Sequence, residues 1–475
     1  MIPRFDGVGF MRRLARITGT ALAALLGVVV GALVTGFEGL DDQPYIRADY
    51  HARTVERLRA STNRTRVARG ALEAGFGKAL LTPTLDADTD DPVRGRFASL
   101  PLAGYGVRRG RTATGVHDGL WVKAIAARVG GRTAVWVGAD ALIIPREVSQ
   151  EAMRLLGKEP GLSREQVYFG ATHTHASLGG WGEGAVAEAF AGPYQPGVRI
   201  WMAGQMAAAV RAAVSNLRPA EVGQGRIEAP EFVRNRLVGT QGEVDPELSF
   251  AVFQQAGGSS AVLGSYAAHA TVLSGGNMDF SGDYPGYWQR AIESATKGMA
   301  LFLAGGVGSH SPRAGGGGFA GAENMGRALA ERVLDELGRV TLTNTVALGV
   351  LGCDVDLPEL HVRLADDWRL RPVFARRLLP VESLTYLQVF RLGPTVWIST
   401  PCDFSGELAL EIKDFMRARG ADAVVTSFNG DYIGYVIPAR YYHMGGYEPR
   451  TMSFYGPCLP DYFTALIRTM SLMTM

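Results

Sequence analysis

Short apolar runs alternate with longer amphipathic segments along most of the chain. Apolar runs rich in Val, Ile, Leu and Phe predict buried strands, and longer segments with helical spacing predict helices. The predicted strands are residues 132–144, 167–171, 250–255, 261–268, 300–304, 387–391, 395–399 and 424–428. Helices are predicted over 145–156 and 200–217. Because strands alternate with helices and two pairs of strands are joined by short turns, the pattern predicts an α/β fold with mixed sheets.

The chain begins with a segment that predicts membrane attachment. Residues 17–37 carry no charged side chain and are long enough to span a bilayer as a helix. Arginines at 12, 13 and 16 precede the segment, and Glu38 follows it. The positive-inside rule therefore predicts a cytoplasmic 1–16, an uncleaved transmembrane anchor over 17–37 and an extracytoplasmic remainder. A signal peptide with a shorter apolar core and a buried core helix are the alternatives.

Two further regions follow the predicted anchor. Residues 38–73 are polar and arginine-rich over much of their length, which predicts a juxtamembrane connector. Residues 74–475 are expected to form one large folded domain, since wide α/β sheets allow domains of this size. The sequence leaves the oligomeric state open.

Composition narrows the classes of partner. The 475 residues have a formal charge of +2 and 20% charged side chains, without a dense Lys/Arg stripe after the N-terminus. Nucleic acid is therefore not expected as a partner. The three cysteines stand far apart and predict neither a zinc knuckle nor a disulfide framework.

His173 and His175 directly follow the predicted strand over 167–171. Alternate residues of an extended segment point the same way, so both imidazoles can face one cavity. One would serve as a metal ligand and the other as a proton-transfer group. The chain has 8 histidines in all, which makes such a close pair at a strand end informative. A pair of structural histidines is the alternative.

Other predicted strands also end near residues that can bind a metal ion or take part in catalysis. His269 ends the predicted strand over 261–268, Ser311 follows 300–304, and Asp403 follows 395–399. Ligand sites of α/β sheets gather at the carboxyl ends of strands. The convergence predicts a catalytic or metal site there. His117 beside Asp118 is expected to be a structural pair.

These motifs resemble, in their order, the neutral, non-lysosomal ceramidase family, amidohydrolases that cleave the N-acyl bond of ceramide. The family pattern G-T-H-T-H-S-G-P is similar to residues 171–180, and S-G-D-N-x-G-Y is similar to 281–287. Further matching segments are 114–118, 235–236, 266–271, 308–313, 400–404, 431–436, 446–448 and 455–457. The resemblance implies a layered α/β sandwich hydrolase domain with mixed sheets. The family's C-terminal immunoglobulin-like domain has no counterpart here, which suggests a divergent branch.

The resemblance implies a Zn²⁺ ion held by His173, His269, Asp403 and Tyr435. Two neutral imidazoles and hard oxygen ligands, with a position left for water, form a hydrolytic zinc set. Asp403 stands where the family has glutamate. Its shorter side chain needs compensation from the backbone, and Glu407, one helical turn further on, is the nearest substitute.

The resemblance also implies four catalytic positions. His175 would move a proton or hydrogen-bond the developing oxyanion, and Arg236 and Tyr447 would lie around the scissile amide. Ser311 matches the family's active-site serine, as a hydrogen-bonding partner or as a nucleophile. Ser309 and Arg313 replace the acid and the amide that flank this serine in the family.

The predicted function is that of a membrane-anchored zinc amidohydrolase acting on a ceramide-like or other N-acyl lipid. A metal-free binding or scaffold protein on an abandoned hydrolase fold is one alternative. An esterase or peptide amidase is another.

Overall fold

The computed structural model of the chain describes residues 11–13, 16–18, 20–22, 24, 31, 35–61, 67–158, 160–363, 365–379 and 381–475. Its helices are α1 Asp49–Ser61, α2 Arg146–Lys158, α3 Ala185–Ala191, α4 Pro196–Ser215, α5 Asp283–Thr296, α6 Gly318–Leu337, α7 Pro372–Leu378, α8 Gly406–Arg417 and α9 Leu459–Met473. Its strands are β1 Phe37–Gly39, β2 Ala68–Leu80, β3 Gly115–Val116, β4 Trp121–Val129, β5 Arg132–Ala139, β6 Val167–Ala171, β7 Arg218–Glu228, β8 Val233–Asn235, β9 Glu247–Gln255, β10 Ser260–Tyr266, β11 Asp279–Phe280, β12 Met299–Ala304, β13 His310–Pro312, β14 Thr345–Asp356, β15 Trp368–Leu370, β16 Leu384–Leu392, β17 Thr395–Ser399, β18 Asp403–Phe404, β19 Asp422–Thr426 and β20 Tyr435–Val436.

A branched sheet of twelve strands organises the fold. Its main path runs β12-β10-β9-β7-β2-β14-β16-β17-β19, and β4, β5 and β6 branch from β2. The pairs β10–β12, β5–β6 and β17–β19 are parallel, and the other pairs of the sheet are antiparallel. The predicted α/β class with mixed sheets is therefore confirmed.

Apolar cores lie on both sides of the sheet and between its arms. One core joins α2, α4, α5 and α6 to the sheet, and another joins α1, α8 and α9 to β14, β16 and β17. A third core contains side chains of β5, β12 and β16 and packs the arms of the sheet on each other. A Cβ atom on Gly138 would come within 2.7 Å of Leu301, so β5 and β12 approach too closely there for a larger residue. Helices thus cover stacked sheet arms, as in a layered sandwich.

The segment over 38–73 differs from the predicted connector. Leu58 of α1 is buried against the second core, and Thr54 Oγ1 accepts a hydrogen bond of 2.9 Å from the Asp356 amide. Strand β2 begins at Ala68, so the predicted boundary at 74 falls inside a strand of the main sheet. The segment packs on the domain because its apolar side chains meet β14, which lies some 300 positions away.

Residues 19, 23, 25–30 and 32–34 of the predicted anchor lie outside the described residues. Among the described residues, no helix combines the length and apolarity needed to cross a membrane. Phe37, the last residue of the predicted span, belongs to β1 and pairs with Leu370 of β15.

Candidate metal centre

His173 and His175 follow β6, and His269 follows β10, as expected from the strand ends. The geometry of the first pair differs from the expected extended segment, because His173 has a φ of 62°. Left-handed backbone is uncommon for a residue with a side chain, although histidine tolerates it better than most. Such strain is typical of functional sites. The turn at His173, and not strand alternation, brings the two rings together.

The three imidazoles meet through their Nε2 atoms. His173 Nε2 lies 2.8 Å from His269 Nε2, and His175 Nε2 lies 3.1 Å from His269 Nε2 and 3.3 Å from His173 Nε2. Two nitrogens bound tetrahedrally to one zinc ion at about 2.0–2.1 Å would stand about 3.3–3.4 Å apart. One observed separation has this value, and the other two are shorter by about 0.2–0.5 Å.

The hydrogen bond of Nδ1 shows which tautomer each histidine adopts. Nδ1 of His173 lies 2.6 Å from the Leu142 carbonyl oxygen, that of His175 lies 3.1 Å from the Gly104 oxygen, and that of His269 lies 3.2 Å from the Val307 oxygen. A carbonyl oxygen only accepts, so each Nδ1 carries the hydrogen. The three facing Nε2 atoms then carry lone pairs, and metal-ligating histidines are held in this way.

Burial keeps the three imidazole rings neutral. Burial lowers the pKa of His173 to about 3, against a small opposing effect of the hydrogen bond to Leu142. Burial also lowers the pKa values of His175 and His269 well below the usual range. Neutral imidazoles do not repel a divalent ion, and their lone pairs would gain a common partner from it.

Asp403 adds a carboxylate to the same place. Its side chain is 1% exposed, and its Oδ1 lies 3.4 Å from His173 Nε2 without a hydrogen-bond donor among the described residues. Its Oδ2 accepts a hydrogen bond of 2.8 Å from the Tyr432 hydroxyl. Burial raises the pKa of Asp403 to about 7, against opposing effects of Tyr432, Arg236 and Tyr435. An unpaired buried carboxylate oxygen beside three lone pairs fits a metal ligand.

Tyr435 and Arg236 lie beside Asp403. Tyr435 of β20 pairs with Asp403 of β18, and the Arg236 guanidinium donates a hydrogen bond of 2.9 Å to the Tyr435 hydroxyl oxygen. Glu448 lies 2.8 Å from Arg236 Nε and fixes the guanidinium from its other side. The Tyr447 ring stands 5.7 Å from the Tyr435 ring at 78°. These predicted residues therefore gather at one place.

Two residues considered from the sequence show no contact with the three imidazoles. Ser311 of β13 pairs with Arg234 and does not line the cavity described below, within the part of the chain that the structure covers. Glu407 is buried, but its Oε1 accepts from Asn235 Nδ2 at 2.9 Å and from the Glu243 amide at 3.1 Å. Glu407 Oε2 lies 2.7 Å from Arg440 Nη2. Asp403, and not Glu407, faces the imidazoles.

His117 and Cys402 have surroundings that are typical of structural residues. The His117 ring stacks on Phe319 with centroids 3.6 Å apart, and its Nε2 is 2.9 Å from the Tyr287 hydroxyl. His117 therefore pairs with Tyr287 rather than with Asp118. The Cys402 thiol belongs to the core around α8 and α9, and burial raises its pKa.

Sequence reasoning assigned no role to three residues that support the site. Tyr432 holds Asp403, and Glu448 holds Arg236. Arg108, which is 1% exposed, donates through Nη1 to the His175 carbonyl oxygen at 2.5 Å. Tyr432 stands at the end of a predicted strand, and that position was the available signal. The contacts of Arg108 and Glu448 cross the fold and leave no local pattern.

A cavity of about 310 Å³ opens onto this centre. Its polar end contains His173, His175, Asp403, Tyr435 and Tyr447. The remaining wall is mainly apolar and includes Trp181, Val186, Phe190, Leu379, Val381 and Phe454. A metal centre at the end of an apolar cavity suits a polar reacting group that is attached to an apolar chain.

Comparisons with known proteins agree with this architecture. Residues 88–317 match the family model for the neutral/alkaline non-lysosomal ceramidase N-terminal domain. The fold is similar to the crystal structure of neutral ceramidase from Pseudomonas aeruginosa, with a TM-score of 0.70 and 20% identity over 85% of this chain and 74% of that one. It is equally similar to a ceramidase complexed with C2, with a TM-score of 0.70 and 20% identity over 85% of this chain and 75% of that one. No curated protein matches the sequence. The match over residues 88–317 confirms the resemblance to the neutral/alkaline non-lysosomal ceramidase family that the sequence motifs indicated.

Proposed function

We propose that this protein is a zinc-dependent amide hydrolase that cleaves the N-acyl bond of a ceramide-like or other N-acyl lipid. One observation carries the proposal. Three imidazole Nε2 atoms face each other within 3.3 Å, beside a carboxylate oxygen that has no donor among the described residues. Mutually facing acceptors in a buried site are unfavourable unless a cation lies between them.

His173, His269, Asp403 and Tyr435 are the proposed ligands of the ion. Imidazole nitrogens with hard oxygen donors suit zinc. Bound zinc would polarise the amide carbonyl and lower the pKa of a water molecule to about 7. Tyr432 holds the Asp403 carboxylate in place through Oδ2, which leaves Oδ1 for the ion.

His175 is the proposed proton-transfer group. His175 is less buried than His173 and His269, and it lines the cavity. Its Nε2 lies 3.3 and 3.1 Å from the Nε2 atoms of these two residues, which are closer to each other. A neutral imidazole with its Nδ1 hydrogen on the Gly104 oxygen can take a proton at Nε2 and give it to the leaving amine. Service as a third nitrogen ligand is the competing role for this residue.

Arg236 and Tyr447 are the proposed donors to the oxygen of the amide. Arg236 is oriented by Glu448 and Tyr435 before substrate binds, so little reorganisation is needed as negative charge develops. The Tyr447 hydroxyl belongs to a half-exposed side chain in the cavity wall. Ser311 keeps the role that the resemblance implies only as a prediction, since no contact supports it.

The apolar wall of the cavity supports a lipid substrate. Trp181, Phe190 and Phe454 would contact an alkyl chain while the amide reaches the metal centre. The uncharged stretch over 17–37 supports the further proposal of a single-pass anchor with the domain on the extracytoplasmic side. An anchor of this kind would keep the cavity near lipids.

Hydrolysis assays test the proposal. Purified protein is offered N-acyl-sphingoid, N-acyl-amino-acid and ester substrates, before chelation, after chelation and after zinc is restored. We expect cleavage of a lipid amide that chelation removes and zinc restores. Inactivity on every lipid amide would contradict the substrate class, and full activity after complete removal of metal would contradict the mechanism. Faster cleavage of esters or peptides would favour the esterase or peptide amidase alternative.

A further inference from the structure

Helix α7 turns apolar side chains toward solvent. Val373, Phe374 and Leu378 are 60%, 39% and 51% exposed, although α7 has only seven residues. Phe374 and Leu378 are four positions apart and share one face of the helix. Trp368, in the adjoining β15, is 52% exposed. We call these four residues the α7 patch.

The α7 patch is held outward by the packing of the rest of the segment. Ala375 and Leu379 are buried in the core that contains α8 and α9. Arg369 of β15 is also buried and contacts Glu38 of β1 at 2.9 Å. The exposed apolar face is therefore fixed by the fold, and a fixed group of exposed large apolar residues is typical of an interaction surface.

Charged side chains of both signs surround the α7 patch. Arginines stand at 369, 371, 376 and 377, and acidic residues stand beside this segment at 366, 367 and 382. Arg369 pairs with Glu38, and Arg376 contacts Glu359 at 2.8 Å. Apolar side chains with tryptophan, flanked by charged residues, are typical of segments that lie in the interface of a bilayer.

The α7 patch adjoins the cavity of the metal centre. Leu379 and Val381, which follow α7 directly, line that cavity. An alkyl chain that leaves a bilayer beside α7 would therefore meet apolar wall on its way to the metal centre. A lipid substrate would avoid exposing its chain to water along this path.

The uncharged stretch over 17–37 ends beside the α7 patch. The Arg371 amide donates a hydrogen bond of 2.9 Å to the Gly36 carbonyl oxygen, and β1 pairs with β15. The C-terminal end of the stretch over 17–37 is thereby fixed beside the first residue of α7. Two separate features, the end of that stretch and the exposed patch, share one place on the domain.

We propose that the α7 patch inserts into the interface of a bilayer and places the opening of the cavity at the membrane surface. Membrane contact by the α7 patch does not depend on the proposed amidase activity. The entry of a lipid chain from the membrane into the cavity rests on the proposed function. A second copy of the chain is the competing occupant of the patch.

The first test measures contact with lipid directly. The full chain is reconstituted in vesicles of phosphatidylcholine and phosphatidylglycerol, with a fluorophore at Phe374→Cys or, as a control, at Val93→Cys. Val93 is 78% exposed and does not line the cavity. We expect nitroxide-labelled lipids to quench the label at 374 at least about threefold more than the label at 93, because only α7 enters the interface. Equal quenching would overturn the proposal, and this result is independent of any activity.

The second test separates membrane contact from catalysis. The triple variant Val373→Asp/Phe374→Asp/Leu378→Asp is compared with Val93→Asp on an N-acyl lipid in vesicles and on a short-chain, water-soluble N-acyl analogue. We expect the triple variant to lose about tenfold or more on the vesicle substrate and to stay within about twofold on the soluble one. An equal loss on both substrates, or no loss on vesicles, would overturn the proposal. A dimer of the parent in detergent that the triple variant abolishes would assign the patch to a second copy, which also overturns it. Inactivity of the parent on both substrates would contradict the amidase and leave the quenching test decisive.

Discussion

Two buried polar clusters of this protein differ in how their hydrogen-bonding groups are matched. In the first, which we call the Lys413 network, the Lys413 ammonium lies 2.9 and 2.8 Å from the two oxygens of Asp245 and 3.3 Å from Glu247 Oε1. Ser249 Oγ donates a hydrogen bond of 2.7 Å to the same Glu247 oxygen, and Arg417 pairs with the other. Each carboxylate there finds donors within the chain.

The metal centre lacks such donors. Its three Nε2 atoms and Asp403 Oδ1 are all acceptors, and they face one another. The pKa values show the same contrast. Burial raises the pKa of Glu247, but Lys413 and Arg417 outweigh it and the pKa is lowered, whereas burial raises the pKa of Asp403 to about 7. The donors of the first cluster lie within the chain, whereas unmatched acceptors of the second kind are typical of a ligand-binding site.

Removing a ligand of the metal centre should give the largest effect. We expect His269→Ala to lower kcat/KM on the preferred N-acyl lipid by about 10⁴-fold or more, because both carbonyl polarisation and water activation depend on the ion. His117→Ala is the matched control and should stay within about threefold, since His117 contacts Phe319 and Tyr287 outside the cavity. Comparable losses in both variants would remove the special status of the three-histidine cluster.

His175→Ala should separate the two roles open to this residue. As a proton-transfer group, His175 contributes about 10²–10⁴-fold to kcat, and its loss leaves the metal content unchanged. Kinetics and metal analysis on the same preparation provide the measurement. Loss of metal together with activity would instead make His175 a third nitrogen ligand.

A substitution in the Lys413 network should lower the stability of the protein and leave its metal binding unchanged. Lys413→Met leaves Asp245 and Glu247 buried with too few donors, so we expect the free energy of unfolding to fall by about 3–5 kcal/mol. Denaturant unfolding measures the change, and the metal content of the folded variant should equal that of the parent. A variant that keeps its stability but loses metal would reverse the assignment of the two clusters.

Asp403→Asn should stabilise the metal-free protein at alkaline pH. The pKa of Asp403 is raised to about 7, so folding takes up a proton between roughly pH 4 and 7, and the stability it contributes is lost as the pH rises through 7. Asparagine stays neutral, so the advantage of the variant over the parent should grow by about 2–3 kcal/mol between pH 5 and pH 8. Denaturant unfolding of chelator-treated proteins at both pH values provides the measurement. An equal difference at the two pH values would contradict this origin.

Ser311→Ala should give the smallest effect. Ser311 pairs with Arg234 on β13 and does not line the cavity, so we expect kcat to change by less than about threefold. Steady-state kinetics measure it. A loss of 100-fold or more would show that Ser311 reaches the reacting amide, as the family resemblance implies.

The sequence predicted those features that depend on local pattern. The α/β class followed from apolar periodicity, and His173, His269 and Asp403 were found because each stands at a strand end. The left-handed turn at His173 could not be inferred, because many residues tolerate several conformations and the fold selects one.

Long-range contacts explain what the sequence left undecided. Glu407 was the nearest substitute for Asp403 by spacing, and its contact with Asn235, 172 positions away, shows that it is held by other residues. The packing of α1 on β14 likewise joins distant segments, so residues 38–73 looked like a connector. Such contacts depend on the whole topology.

Metal analysis of the purified full chain tests directly whether the three-histidine cluster holds zinc. Zinc is quantified by mass spectrometry in the parent, in His173→Ala and in Lys413→Met, after exchange into metal-free buffer. We expect close to one zinc per chain in the parent and in Lys413→Met, and almost none in His173→Ala, because only the three-histidine cluster needs a cation. A folded parent that takes up no zinc when it is offered, or a His173→Ala variant that keeps all of it, would show that the three-histidine cluster is not a zinc site.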